Sequence, residues 1–476
     1  MVGILKYGER IWALQSARFD SIAKCLDQQD ASIRENEGNK ILRDVLEQRC
    51  CMDVEAVLKA AHGLLDVCQG IFIGLRGGSR SYVRHVLLSF QMYDRLDKLM
   101  EMELSLMYDI LYTKATVIHT WYGCCIRVVA LLATAAAFFL FQLSSMDAHS
   151  TKNIVTTNIL LVGGLLLEVI SLVRAVGSNW TLVFLHRMKW NWLHEELLSL
   201  RCVFSVAAHR RWCGSVGQYN FLTASAHDAV AMETSKPASW LLGLGTTAQD
   251  LWARLHHSKY VMLSNSTKEL ILSNILGMQE KGEEMGSLRG LSTLRKLKLD
   301  SRIGWTIQDV GFEDSIMAWH IASDICLFKD RSNQPDLVEA IKVLSNYMMF
   351  LLALRRYMLP GPVRRSRYEL VRADLHSLMN EDKSSSPQER LYWALRKGFH
   401  DYLKSGGPPK QFDAGVRLAA LLYHQYDRLD VIFGVWVEML CYVANNCSTE
   451  SHARQLSSGG ELVTIVWLMA RHVDLS

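Results

Sequence analysis

The chain has 476 residues, 50 % hydrophobic and 21 % charged, with a mean hydropathy of +0.07, which excludes a disordered chain and leaves ample material for a core. With 52 Lys and Arg against 48 Asp and Glu, the net charge of +4 is too dilute to argue for nucleic acid as a partner. Only 7 Pro and 30 Gly exclude collagen-like and Pro-rich low-complexity classes.

In chain order, Lys6, Glu9 and Arg10 interrupt any signal-peptide core, so membrane insertion would begin from an internal segment. Residues 1–118 read as an N-terminal helical region. Within it, Leu96, Leu99, Met100, Leu104, Met107 and Leu111 fall on one helical stripe, which reads as core.

Residues 119–175 read as a transmembrane hairpin. Trp121–Leu143 carries Arg127 as its only charge, and Ile154–Val173 carries only Glu168. Each is long enough for about 30 Å of hydrocarbon, which takes about 20 helical residues. A buried helix of a soluble core is the plainer alternative, but such helices seldom run this long without polar interruption. The connector Ser144–Asn153 holds Lys152, whereas Lys114 precedes the first span and Arg174, Arg187, Lys189, Arg201, Arg210 and Arg211 follow the second. The excess of positive charge therefore places both termini in the cytosol, in a plasma membrane or endomembrane protein.

Arg127 and Glu168 lie about 24 Å and about 21 Å from the connector side, hence at similar depth on neighbouring helices. They are expected to form an intramembrane ion pair; the alternative is that Arg127 snorkels to the headgroups while Glu168 meets another helix. Ala133, Ala137, Gly163 and Gly164 would permit close helix approach. Cys124 and Cys125, at the expected membrane edge, are candidates for S-acylation, against the plainer reading of small apolar packing.

Residues 176–276 read as a cytosolic helical region. Four glycines (277, 282, 286, 290) and the basic residues Arg295, Lys296, Lys298 and Arg302 suggest a linker over 277–305. A C-terminal helical domain then occupies 306–476. Leu337, Ile341, Leu344, Met348 and Leu351 line one face of a helix that Pro360-Gly361-Pro362 stops. Further helices are expected at about 389–404, 411–446 and 459–473. No stretch alternates as a strand does, so the class is all-α: an integral membrane protein with a two-helix hairpin and large helical cytosolic regions.

Chemistry is sparsely marked. The 11 Cys include no C-x-x-C pair, so structural zinc and thioredoxin-type chemistry are not expected, and free thiols fit a reducing compartment. Phosphate-loop, dinucleotide, zinc-protease and hydrolase-elbow motifs are all missing from the sequence. Neither a catalytic residue nor a cofactor or metal ligand is assigned. His320 and Asp324 share a helix face and, with Glu438, Cys441 and His452, offer the parts of a Cys/His hydrolase; a polar pair locking two helices is the plainer reading. Arg355, Arg356, Arg364, Arg365 and Arg367 are candidates for anionic lipid headgroups, against a solvated, salt-bridged turn. Ser458 and Glu461 stand at capping-box spacing.

Several blocks together carry a family resemblance: Gly3 to Leu14 (GILKYGERIWAL), Glu103 to Gly123 (ELSLMYDILYTKATVIHTWYG), Trp212 to Asn220 (WCGSVGQYN), Trp319 to Asp324 (WHIASD), Leu344 to Pro360 (LSNYMMFLLALRRYMLP), Val435 to Tyr442 (VWVEMLCY) and Gln455 to Trp467 (QLSSGGELVTIVW). On these the chain resembles plant membrane proteins that join a domain of unknown function, DUF4220, to a C-terminal DUF594. Family members carry further apolar helices ahead of the first block, so the chain resembles a shortened member. The resemblance implies membrane architecture and assigns no activity. The expected role is a non-enzymatic, membrane-anchored scaffold whose partners are the lipid bilayer and other proteins. The alternatives are a membrane-bound Cys/His hydrolase, or a transport component if upstream helices are restored.

Overall fold

A computed structural model describes residues 2–28, 54–74, 95–118, 121–143, 151–176, 214–234, 255–280, 286–328, 334–361, 365–379 and 411–474, with single positions between them. They divide into two compact units. Unit 1 comprises Met1–Trp212, Ala453–Glu461 and Leu468–Ser476, and unit 2 comprises Cys213–His452 and Leu462–Trp467. This division differs from one that sets a single C-terminal domain at 306–476, because distant stretches of chain contribute to each core.

Unit 1 holds α1 (Val2–Ser16), α2 (Phe19–Gln28), α3 (Val54–Gly63), α4 (Leu65–Phe72), α5 (Leu96–Tyr112), α6 (Ala115–Ile118), α7 (Trp121–Leu143) and α8 (Thr151–Val176). Its core forms where α5 packs on α3 and α4. The Leu99, Met100, Leu104 and Met107 stripe is buried, as helical spacing requires, but so are Glu101, Glu103, Ser105 and Asp109. Helix α5 is therefore enclosed around its circumference rather than along one face. It ends where Thr113 Oγ1 donates to the Asp109 carbonyl at 2.6 Å, and the same hydroxyl accepts the Ala115 N–H at 3.1 Å to start α6.

Helices α7 and α8 pack antiparallel. Arg127 reaches Ser171, Thr134 faces Gly164, and Gln142 bonds Asn158, so advance along one helix matches retreat along the other. Gly164 sits close enough that an added Cβ would come 3.9 Å from Thr134 Cγ2, ordinary van der Waals contact.

Unit 2 holds β1 (Ser215–Gln218), α9 (Phe221–Thr234), β2 (Lys259–Met262), α10 (Asn265–Glu280), α11 (Leu291–Lys296), α12 (Asp300–Ile303), α13 (Trp305–Gln308), α14 (Phe312–Phe328), α15 (Pro335–Leu354), α16 (Arg365–Met379), α17 (Gln411–Tyr423) and α18 (Arg428–Asn446). Helix α19 (Thr449–Leu456) and helix α20 (Leu462–Asp474) contribute residues to both units. Pro335 opens α15, and a 3₁₀ turn at Arg356–Met358 precedes Pro360, the expected stop. Against α15 pack α10, α14, α18 and β1. Trp319, Tyr347 and Trp436 are fully buried, and both indoles are bonded: Trp319 Nε1 to Thr306 Oγ1 at 3.1 Å and Trp436 Nε1 to Ser323 Oγ at 2.9 Å.

Three sequence expectations need correction. Strands β1 and β2 pair antiparallel, with Ser215 opposite Met262 and Gln218 opposite Lys259. Burial does not alternate along either strand, β1 being nearly all buried and β2 mostly exposed, so this sheet was invisible to periodicity. The stretch 277–305 is no linker in its described part, because α11 to α13 occupy it and α11 packs on α18. There Gly290, at φ +115°, lies against Val435, so it serves close approach and not flexibility. Ser458 does not open a helix either. Gly459 and Gly460 adopt positive φ, and Gly460 N–H bonds the Gln455 carbonyl at 3.0 Å, closing α19.

Among the described residues three helices, not two, are long and apolar enough to cross a membrane: α7, Ile154–Val173 within α8, and α15. Helices α18 and α19, bent by 100° at their junction, form a further candidate pair.

Candidate functional site

In unit 2, three of the sequence blocks converge on one polar cluster. The Trp212–Asn220 block ends in β1 and the turn into α9. There Gly217 lies flat against the Phe350 ring, where any side chain would collide, so β1 can press onto α15. Gln218 Nε2 then donates to the Val343 carbonyl at 3.1 Å, and Tyr219 N–H to the Asn346 carbonyl at 3.1 Å. Asn220 caps α9 through Oδ1, which accepts the Thr223 N–H at 2.8 Å, while its Nδ2 donates to Asp324 at 2.6 Å and to Asn346 at 3.2 Å.

His320 completes the cluster. Its Nε2 accepts the Phe221 backbone N–H at 3.3 Å, so Nδ1 carries the hydrogen and donates to Ser345 Oγ at 2.8 Å. Burial lowers its pKa from 6.5, the Asp324 charge opposing in part. The imidazole is thus neutral with both nitrogens engaged, which leaves none for base catalysis or a metal. His320 and Asp324 do share a face, as helical spacing predicts, but each bonds a different neighbour and together they fasten the β1–α9 turn to α14.

The other parts of a hydrolase are spent separately. Glu438 accepts the backbone N–H of Ser292 at 3.1 Å and of Thr293 at 2.6 Å, and the Thr293 hydroxyl, which anchors the start of α11. Burial pushes the Cys441 thiol from 9.0 up to about 12, so it carries no thiolate at neutral pH. His452 Nδ1 lies 3.2 Å from Thr464 Oγ1, its Nε2 donates to the Ala444 carbonyl at 3.1 Å, and its ring stacks on Trp467 at 4.3 Å.

Unit 1 holds a buried triad that sequence reasoning missed. Glu103 accepts from His472 Nε2 at 2.6 Å, and the Cys68 thiol hydrogen-bonds the same carboxyl. All three are fully buried. Burial raises the Glu103 pKa while His472 and Cys68 pull it back in part, and burial followed by the Glu103 charge holds the Cys68 thiol well above 9.0. The signal was available: Glu103 follows Leu99 by four residues and Met100 by three, on the apolar stripe itself.

Among the described residues Arg127 and Glu168 do not bond each other. Arg127 donates to the Ser171 hydroxyl at 2.7 Å and carbonyl at 3.2 Å and pairs with Glu9 at 3.4 Å, whereas Glu168 pairs with Lys6. The two charges do lie on facing helices, but α1 supplies a counter-ion to each. Cys124 is half-buried and donates to the Ile118 carbonyl at 3.4 Å, while Cys125 is exposed. Arg355 contacts the Tyr357 and Tyr260 hydroxyls, and Arg356 Nε donates to the Leu352 carbonyl at 3.0 Å. Arg364 and the side chains of Arg365 and Arg367 lie outside the described residues. Among the described residues no group of three or more His, Cys, Asp or Glu is placed to hold a metal ion.

These helices define an all-α protein with several apolar segments long enough for a bilayer. The domain of unknown function DUF4220 matches residues 1–224, and the protein of unknown function DUF594 matches residues 423–475. The chain therefore carries the DUF4220 and DUF594 domain pair. No curated protein and no solved structure matches it. The Trp319–Asp324 and Leu344–Pro360 blocks, which build most of the polar cluster, fall between the two matched segments.

Proposed function

We propose that the chain is an integral membrane protein in which α7 and α8 cross the bilayer as a hairpin and the remaining helices form a non-enzymatic body that engages protein partners. One contrast supports this reading. Only 6 % of each apolar window in α7 and α8 is buried, whereas 67 % of the comparable window in α15 is buried by protein. An exposed apolar surface of that extent on two adjacent helices needs a cover, and hydrocarbon is the solvent that suits helices with internally satisfied backbones. The Lys and Arg bias around the hairpin favours a cytosolic location for both flanks. The separate hydrogen bonds of His320, Glu438 and His452 and the raised thiol pKa of Cys441 favour this reading over the hydrolase alternative.

Fractionation of cells expressing the full chain tests the reading. The protein is expected in the high-speed pellet, resistant to alkaline carbonate and released by detergent. Recovery in the supernatant without detergent would overturn it.

A further inference from the structure

Helix α1 carries its polarity inside out. Helical spacing places Ile4, Tyr7, Ile11 and Leu14 on one stripe, and all four are exposed. On the opposite side Glu9 and Ala13 are buried and Lys6 is half-buried. Of its three charges, Lys6 and Glu9 face protein and Arg10 is exposed beside the outward apolar stripe; that stripe and the two inward charges reverse the pattern of a helix on a water-facing surface. That order is the one expected where the outer solvent is hydrocarbon.

The ion pairs fix where this stripe lies. Lys6 pairs with Glu168 on α8, and Glu9 pairs with Arg127 on α7 at 3.4 Å and with Lys114 at 3.6 Å. At about 1.5 Å per residue, Arg127 lies about 9 Å beyond Trp121 and Glu168 about 8 Å before Val173. The charges of α1 thus meet those of the hairpin at one common depth. Val128 and Leu132 on α7 and Val169 and Val173 on α8, within about one or two turns of those charges, are exposed as well. Trp121 and Tyr122, exposed at the charged end of the hairpin, are residue types of the headgroup zone.

We propose that α1 is itself bedded in lipid. Acyl chains cover its Ile4, Tyr7, Ile11 and Leu14 stripe beside the charged end of the hairpin, and Lys6 and Glu9 are the counter-ions that let Glu168 and Arg127 lie in apolar surroundings. The proposal rests on the bilayer reading of α7 and α8 and adds a third lipid-facing element to it.

The test uses the full chain in phosphatidylcholine vesicles with p-benzoylphenylalanine at one of three positions: Tyr7, Leu140 on α7, or Tyr426, a unit 2 residue 99 % exposed. After irradiation, lipid adducts at Tyr7 are expected within about twofold of those at Leu140 and at least about tenfold above those at Tyr426, because acyl chains reach only the first two. Labelling at Leu140 with none at Tyr7 overturns the proposal and leaves the hairpin standing. Absence of labelling at both overturns the bilayer reading and this proposal with it. Lys6→Glu and Glu168→Lys should each lower the carbonate-resistant fraction, and the double exchange should restore it; no restoration overturns the counter-ion assignment.

Discussion

Helices α7 and α15 are alike in length and apolar content, yet their polar atoms are used in opposite ways. In α15, Ser345 accepts from His320, the Asn346 carbonyl accepts from Tyr219, and the Tyr347 hydroxyl meets the Val463 N–H at 3.2 Å. The side chains of Ser345 and Tyr347 and the Asn346 carbonyl find partners on different segments, α14, α20 and the turn after β1, and partners on several sides mean enclosure by protein. In α7, Arg127 and Gln142 both bond α8, and Thr134 turns back on the Ala130 carbonyl of its own helix. Polar partners there lie on α8 and α1 or within α7 itself, and the large hydrophobic side chains Val128, Val129, Leu132, Phe139, Leu140 and Leu143 of α7 are exposed. Length and hydropathy nominate a span; the directions in which its polar groups find partners decide which solvent surrounds it.

The largest expected effects separate the two helices. Leu344, fully buried in α15, should cost about 2–5 kcal/mol when changed to Ala, because the cavity cannot collapse among so many fixed neighbours. Leu132→Ala on exposed α7 should shift stability by no more than about 0.5 kcal/mol. Denaturant unfolding of detergent-solubilised protein reads both, and equal losses would erase the distinction. Leu132→Lys should instead cost about 2.5–3.5 kcal/mol of insertion, read as a loss of integrated hairpin in microsomes. A Lys tolerated there without loss would mean that water, not lipid, faces α7.

Protonation sharpens the enclosed side by a smaller amount. Because burial lowers the His320 pKa from 6.5, the folded chain binds that proton more weakly than the unfolded chain. The stability contributed by keeping His320 neutral is complete above pH 6.5 and is lost as pH falls through the folded value. Comparing urea midpoints at pH 7.5 and 5.5, wild type should lose more than His320→Gln, whose direct cost at neutral pH is about 1–3 kcal/mol for unpaired buried groups. An identical pH response in both proteins would remove His320 from the account.

What the sequence made legible follows the range of the interactions. The limits of α7 and the end of α15 before Pro360 depend on runs of neighbours, so hydropathy and proline chemistry reveal them. The β1–β2 pairing, the Glu103–His472 contact and the Lys6–Glu168 and Glu9–Arg127 pairs join residues far apart in the chain, which no periodicity reports. Glycine misled for a related reason. Gly290 looks like a flexible joint until Val435, distant in sequence, is found against it. Arg127 and Glu168 are expected from the sequence to pair with each other; Glu9 and Lys6 of α1 take them instead, and no local pattern links α1 to helices more than a hundred residues away.

The smallest predicted effect tests the contrast at equal chemistry. Gln142 Nε2 donates to Asn158 Oδ1 at 3.0 Å between α7 and α8, and Asn220 Nδ2 donates to Asp324 at 2.6 Å in unit 2. Both are amide donors to oxygen, but their alternatives differ. Unfolding frees Asn220 and Asp324 to water, and breaking one partner leaves the other charged or polar group partly enclosed, so a double-mutant cycle should give about 1.5–3 kcal/mol for this charge-assisted bond. When α7 and α8 separate within a bilayer, each amide finds its own helix, headgroups or interfacial water, and the cycle with Gln142→Leu and Asn158→Leu should give only about 0.6 kcal/mol. A coupling at the hairpin as large as that in unit 2 would show that α7 and α8 meet in a protein interior after all.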